Sequence, residues 1–432
     1  MLRKSMVVLA GISMIVSACN SSGSSTGAGT GTVKSEERPP EPIELVMLQD
    51  GATITDDEFA NYIAAPVRAK YPHITITMMR NNKGNEGLSN LISSGSFPDL
   101  IFTTYPQIKI NRELGTAQDL NDMIQKFKMD TGKFDPAALQ TSKIYGNSDH
   151  LFALPFSLNF LATFYNKDLF DKFGVAYPKE GITWDEAIQL SKSFDRTLEN
   201  ISYRGLMTNG ASDLSTQLSL PYVNAGTNKA QLTTDGWKRL LDLLKAINDV
   251  PGNKGATLDH FLKDQTLAMV ASYDARFAAL EKLQGTSGQF NWNVTQYPSY
   301  PDKPNVSLAS SGHFLIVSSL GKHKEEAFQV VDLLTSDDIQ KLITENGRFT
   351  SLKNETIKSL YGKNMKSMQG KDIKAVFKSA FSPPFPPTKY DSFVITRLNE
   401  AVKKVTNGET DINSALREAE EAANRDIAAQ PK

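Results

Sequence analysis

Residues 43–48 read IELVML, a short and nearly continuous apolar run followed by the polar pair Gln49-Asp50. Such a run suits a strand covered on both faces of a sheet. Working outward, Asp56 to Lys70 carries Phe59, Tyr62, Ile63 and Val67 on one helical face, and Pro72 stands just beyond as a stop. A second strand, Ile74 to Met78, leads into the glycine-containing loop NNKGNEG, and Leu88 to Ser93 is expected to be helical. Pro98-Asp99 opens a third strand at Leu100 to Phe102. Strand, helix, strand, helix, strand in this order predicts a parallel α/β sheet with right-handed crossovers.

Further along, Thr183-Trp184-Asp185-Glu186 has the form of a capping box, opening a helix through Ile188, Leu190 and Phe194. A helix from about Thr234 lines up Leu240, Leu241, Leu244 and Ile247. Strands are expected at Leu267 to Ala271 and Phe314 to Val317, and helices at Lys324 to Leu334 and Asp411 to Ala429. The chain shows no internal repeat.

Composition narrows the function. With 47 basic and 48 acidic residues among 432, the formal charge is -1, which gives no basic field for nucleic acid. Hydrophobic residues make up 40%, enough for a packed core. The five histidines are too scattered for a zinc helix. There is no GxSxG elbow, phosphate loop or calcium loop, and Gly27 and Gly29 do not lie between a strand and a helix. No cofactor, metal or catalytic set is expected, and an enzyme lacks positive support.

The N-terminus speaks of export. Arg3 and Lys4 precede an apolar run from Met6 to Val16, shorter than the roughly 20 residues that span a bilayer. It ends in Val16-Ser17-Ala18-Cys19, which resembles the lipobox of bacterial lipoproteins, with an ordinary secretory signal as the alternative. Residues 1–18 are thus expected to be a signal peptide. Cys19, the one cysteine, is expected to be the lipidation site, and residues 19–42 a Ser/Gly/Pro leash. The expected location is the outer face of the cell membrane, held by the lipid alone.

Five ordered segments resemble the extracellular solute-binding proteins of bacterial ABC importers, in the branch that takes up sugars and oligosaccharides. They are residues 97–119 (FPDLIFTTYPQIKINRELGTAQD), residues 152–187 (FALPFSLNFLATFYNKDLFDKFGV through TWDEA), residues 261–273 (FLKDQTLAMVASY, with Gln265 where glycine is usual), residues 311–334 (SGHFLIVSSLGKHKEEAFQVVDLL) and the C-terminal alanine-rich helix. The pairing of YNKDLF with TWDE is the specific part. The resemblance implies a two-lobe periplasmic-binding-protein-like α/β fold (type II), with a ligand cleft between lobes joined by a hinge of several crossings. The motifs place those crossings near Phe156 to Leu158, Ser310 to Gly312 and Arg348 to Ser351. Residues 43–155 and 312–347 would form one lobe, and residues 156–311 and 348–432 the other. The implied function is capture of a sugar or oligosaccharide by a monomer and delivery to ABC transporter permease subunits. An exported carbohydrate-active enzyme and a receptor for a non-sugar solute are the alternatives.

A sugar presents paired hydroxyls and apolar C–H faces, so its site needs polar side chains and aromatic rings at the carboxyl ends of strands. Candidates there are Asp50, Asn82, Tyr105, Asn159, Gln217, Tyr222, Tyr273, Asp274, Arg276, Ser311 and His313. Asp50 and Asp274 suit helix caps equally well, and His313 suits a satisfied, half-buried histidine.

Overall fold

The computed structural model describes residues 41–371 and 373–430. Cys19, the expected signal peptide and the leash up to residue 40 lie outside the described residues. None of the described helices is long and apolar enough to cross a membrane.

Two sheets organise the body. The six-stranded sheet runs, edge to edge, Phe349–Thr350, Leu154–Asn159, Ser311–Val317, Leu100–Thr104, Ile43–Asp50 and Ile74–Arg80. The expected parallel unit is there: Ile43–Asp50 pairs in parallel with both Ile74–Arg80 and Leu100–Thr104. Leu45, Met47 and Leu48 are wholly buried, as a strand covered on both faces requires. The sheet is mixed, however, because Ser311–Val317 runs antiparallel to Leu100–Thr104 and to Leu154–Asn159. That strand enters from the other half of the molecule, so its direction is set by the crossing and not by a βαβ step.

The five-stranded sheet runs Trp292–Gln296, Leu161–Asn166, Leu267–Tyr273, Ile201–Met207 and Arg196–Leu198. Its centre, Leu267–Tyr273, has residues 267–272 buried and pairs in parallel with Ile201–Met207. Its helices include Trp184–Lys192, closed by the expected box: the Glu186 amide donates to Thr183 Oγ1 at 3.3 Å, and Glu186 Oε2 accepts from the Thr183 amide at 2.8 Å. Asp235–Asn248 buries Trp237 beside Leu240, Leu241 and Ile247. The C-terminal pair, Asp391–Thr406 and Ile412–Ala428, packs on the same core through Val394, Leu398, Ala415 and Leu416.

The chain passes between the sheets at three places. Phe156 to Asn159 still belong to the six-stranded sheet, so the first passage falls at Phe160, before Leu161 joins the other. The second follows the short strand Val306–Ala309 and reaches the six-stranded sheet at Ser311. There Gly312 lies so close to Leu154–Asn159 that a Cβ would overlap the carbonyl oxygen of Ser157. The third follows Phe349–Thr350, at the far edge of the first sheet. Around these passages Phe160 sits at the centre of a cluster, with Phe349, Tyr361 and Phe377 at centroid distances of 5.1, 5.0 and 5.0 Å.

Candidate functional site

A cavity of about 690 Å³ opens where the carboxyl ends of strands from both sheets face each other. From the six-stranded side come Tyr105, which begins the helix after Leu100–Thr104, and Tyr145 on helix Pro136–Gly146. Their rings meet edge to face at 4.7 Å. From the other side come Tyr222 and Tyr273, and the segment before helix Asp391–Thr406 adds Phe385. Tyr222 is held from behind by Trp237 at 5.3 Å and by Phe385 at 5.7 Å. Ser311 lines the cavity at the second passage.

The polar groups split into anchored and free. Asp213 accepts from Tyr273 Oη at 3.2 Å and from Asn209 Nδ2 at 3.0 Å, which fixes its carboxylate at the cavity wall. Asp391 accepts from Thr388 Oγ1 at 2.6 Å and from the Thr388 amide at 3.0 Å. Neither forms an ion pair among the described residues, so each keeps lone pairs for a ligand hydroxyl. Burial, the largest influence, raises the Asp391 carboxyl above its ordinary value despite the Thr388 bonds. Burial likewise raises the phenols of Tyr105, Tyr145, Tyr222 and Tyr273, with Asp213 or Asp391 nearby adding to it. All four stay protonated and able to donate. Tyr222 Oη is engaged by Ser212 and Ser215, whereas the hydroxyls of Tyr105 and Tyr145 have no bond to another described residue. Lys109 donates to the Pro387 carbonyl at 3.3 Å, tying the two walls together across the cavity.

Of the sequence candidates, Tyr105, Tyr222, Tyr273 and Ser311 line this cavity. Asn159 stands beside it, opposite Ser311 in register and 3.5 Å from its hydroxyl. The others are placed elsewhere. Gln217 is spent inside the five-stranded half: 1% exposed, it donates to the carbonyls of Pro298 and Val306 and accepts from Trp184 Nε1. His313 is half-buried, as expected, stacked on Phe102 at 5.3 Å and bonded to Ser157 Oγ at 2.9 Å. Burial pushes its pKa down to about 3, so it is a neutral packing residue.

Asp50 is buried at the end of its strand and accepts from Asn81 Nδ2 at 2.6 Å, while Asn82 next door is exposed. Asp274 begins helix Ala275–Leu283 without a side-chain cap bond, and burial raises its carboxyl to about 8. Arg276 is half-buried and turns back to Ser272 Oγ at 3.3 Å. A place near a strand end does not say which side chain turns toward the cavity.

Sequence reasoning missed Tyr145 and the whole segment from Phe385 to Ser392. Tyr145 sits near the end of a helix and not after a strand. The segment returns from the far C-terminus, and its one signal is the run PFPPTKYDS, rich in proline and aromatic residues yet apart from any strand.

The profile of the family described as bacterial extracellular solute-binding protein matches residues 51–341. Among solved structures, an ABC substrate-binding protein of Listeria monocytogenes in complex with cycloalternan aligns with a TM-score of 0.69 at 20% identity, over 90% of this chain and 100% of that one. The cyclic alpha-maltosyl-1,6-maltose binding protein of Arthrobacter globiformis aligns at 0.69 and 16% identity, over 90% and 100%. The sugar-binding protein MalE of Xanthomonas citri aligns at 0.68 and 15% identity, over 89% and 98%. These likenesses give the fold, two α/β lobes with a cleft between them, and the profile gives the family: the chain belongs to the bacterial extracellular solute-binding proteins.

Proposed function

We propose that this protein captures a sugar or oligosaccharide in the cleft and delivers it to the permease of an ABC importer. One observation carries the reading: four protonated tyrosines from opposite walls converge with the unpaired carboxylates of Asp213 and Asp391 on one cavity. Rings cover C–H faces, carboxylates accept from paired hydroxyls, and phenols donate to ring and glycosidic oxygens. The cavity of about 690 Å³ falls in the range of small-molecule sites and has room for more than one sugar ring. The ligands named for the Listeria and Arthrobacter neighbours, cycloalternan and a cyclic maltosyl-maltose, support an oligosaccharide.

In this reading the two lobes, divided at the three passages, close on the ligand as a hinged pair. Cys19 carries the lipid that holds a monomeric receptor at the outer face of the membrane, where a tether raises its effective concentration near the permease. The cleft binds without turnover.

The test is a thermal-shift screen with mono- and oligosaccharides, using peptides, polyamines and metal ions as controls. A ligand at 100 times its Kd adds about 2.7 kcal/mol, a readily measured rise in Tm. A shift by a peptide and by no saccharide refutes the sugar class. Release of cleaved glycan refutes the receptor.

A further inference from the structure

The charges that line the cleft are unevenly matched. Its acids are Glu113, Asp213 and Asp391, and its bases are Lys109 and Lys389. Lys109 Nζ lies 3.9 Å from Glu113 and donates to the Pro387 carbonyl, so these two form a pair. Lys389 is exposed, where water solvates its charge, and its Nζ lies 5.1 Å from the centre of the Tyr390 ring. Asp213 and Asp391 differ from both. Each is half-buried in the wall, and every bond to its carboxylate comes from a neutral donor: Tyr273 and Asn209 for Asp213, Thr388 for Asp391. The charge of Lys109 does reach Asp391, but too weakly to offset the burial that raises its carboxyl. The cavity thus presents two carboxylates that lack a close cation.

Their surround is aromatic. Tyr105, Tyr145, Tyr222, Tyr273 and Phe385 line the same space. Burial raises the four phenols most. Asp213 adds to the rise at Tyr105, Tyr222 and Tyr273, and Asp391 at Tyr145 and Tyr222, so each carboxylate acts on rings of both walls. Ring faces attract cations, and more strongly where water is excluded. We infer that the cleft selects saccharides bearing an ammonium group, the amino sugars, with Asp213 and Asp391 as counter-ions inside a cage of tyrosines. This rests on the capture reading and narrows its ligand class. A sugar hydroxyl donates one hydrogen bond and leaves the carboxylate charge in place. An ammonium group donates up to three and cancels that charge. Neutral sugars of the same shape therefore bind, but more weakly, and sugar acids are repelled. Charge sorts the saccharides first, and shape decides among those of equal charge.

The test uses three disaccharides with one β-1,4-linked backbone that differ only at carbon 2. They are the glucosamine disaccharide with its ammonium groups, the N-acetylated form with acetamides, and cellobiose with hydroxyls. Each is titrated calorimetrically into the full chain at about pH 6, where the amine is protonated. The ammonium form is expected to bind at least about tenfold more tightly than cellobiose. Asp213→Asn and Asp391→Asn keep an acceptor oxygen for Tyr273 and Thr388, so Tm is expected to hold. Each is expected to lower the preference severalfold, and the double variant to abolish it; if the double variant does not fold, the single variants decide. Equal or tighter binding of cellobiose or the N-acetylated form overturns the inference and leaves sugar capture standing. A preference that survives the substitutions does the same, as does another neutral saccharide that binds where the ammonium form does not. Absence of binding by every saccharide, with or without binding of spermidine, refutes capture itself and this ligand class with it.

Discussion

Gln217 separates two roles that its place in the sequence leaves mixed, and Gln217→Leu tells them apart. Its amide donates at 2.8 Å to both Pro298 O and Val306 O, and its oxygen accepts from Trp184 Nε1 at 3.0 Å. Leucine has a similar volume but leaves these three groups unpartnered at a site 1% exposed. A buried polar group without a partner costs about 1–3 kcal/mol. Relaxation around the two carbonyls recovers part of this, so a loss of about 3–5 kcal/mol is expected. All three tryptophans, Trp184, Trp237 and Trp292, pack with the five-stranded half, so urea unfolding followed by tryptophan fluorescence reports that half directly. The transition midpoint is expected to drop sharply, while the Kd for the cleft ligand, measured well below that midpoint, stays within about twofold. An unchanged midpoint, or a tenfold weaker Kd with normal stability, refutes the structural role and restores Gln217 to the site.

Three further outcomes follow from the geometry. Tyr105→Ala and Tyr145→Ala remove rings whose hydroxyls are free, so calorimetry is expected to give about tenfold weaker ligand binding for each with little change in Tm. Burial raises Asp274 to about 8, above its unfolded value. Stability is therefore lost as pH rises from about 4 toward 8. Asp274→Asn is expected to be the more stable form at pH 8, with the advantage fading at pH 4, in urea titrations at each pH.

Glu58 behaves oppositely. Burial works against its charge, yet Arg348, with Nε at 2.7 Å and Nη2 at 3.0 Å, holds its pKa below the ordinary value. That contribution is present above the unfolded pKa and disappears as pH falls through the folded one. Glu58→Gln is thus expected to cost stability at pH 7, by about 2 kcal/mol given partial exposure, and progressively less as pH falls through the folded pKa.

What the sequence discloses depends on the range of the forces involved. The strand–helix–strand run from Ile43 to Phe102 is legible because burial on both faces leaves a local apolar signature, and the box at Thr183–Glu186 because a cap is local by nature. The antiparallel insertion of Ser311–Val317 is not legible. Nothing within a strand records the direction from which it enters a sheet, and only its pairing with Leu154–Asn159 fixes it. The same limit governs the site. Tyr105, Tyr222 and Tyr273 were reachable, since two follow strands and one stands in a loop of polar and aromatic residues. Tyr145 and Asp391 enter the cavity by helix packing and by a return of the chain from nearly 300 residues away, for which no spacing rule exists.

Asp50, His313 and Gln217 show the complementary failure. A polar residue near the sheets faces either a ligand or a buried partner, and its own type does not say which. Each has a fixed protein partner here: Asn81 for Asp50, Ser157 for His313, and Trp184 for Gln217. Such partners hold the walls in place, while the groups left free to bind are the phenols of Tyr105 and Tyr145 and the spare lone pairs of Asp213 and Asp391. Ring faces and hydroxyl-accepting carboxylates recognise features that many saccharides share. On the proposed capture reading, discrimination among sugars of equal charge falls to the shape enclosed when the walls meet, and that shape depends on the angle at Phe160, Ser310 and Phe349. A substitution at a passage is accordingly expected to change which sugar is preferred, where a substitution of one tyrosine weakens all of them alike. Comparing Kd ratios for two saccharides in Phe349→Leu and in Tyr105→Ala decides the matter: equal ratios in both variants would place selectivity in the cleft side chains and not in the hinge.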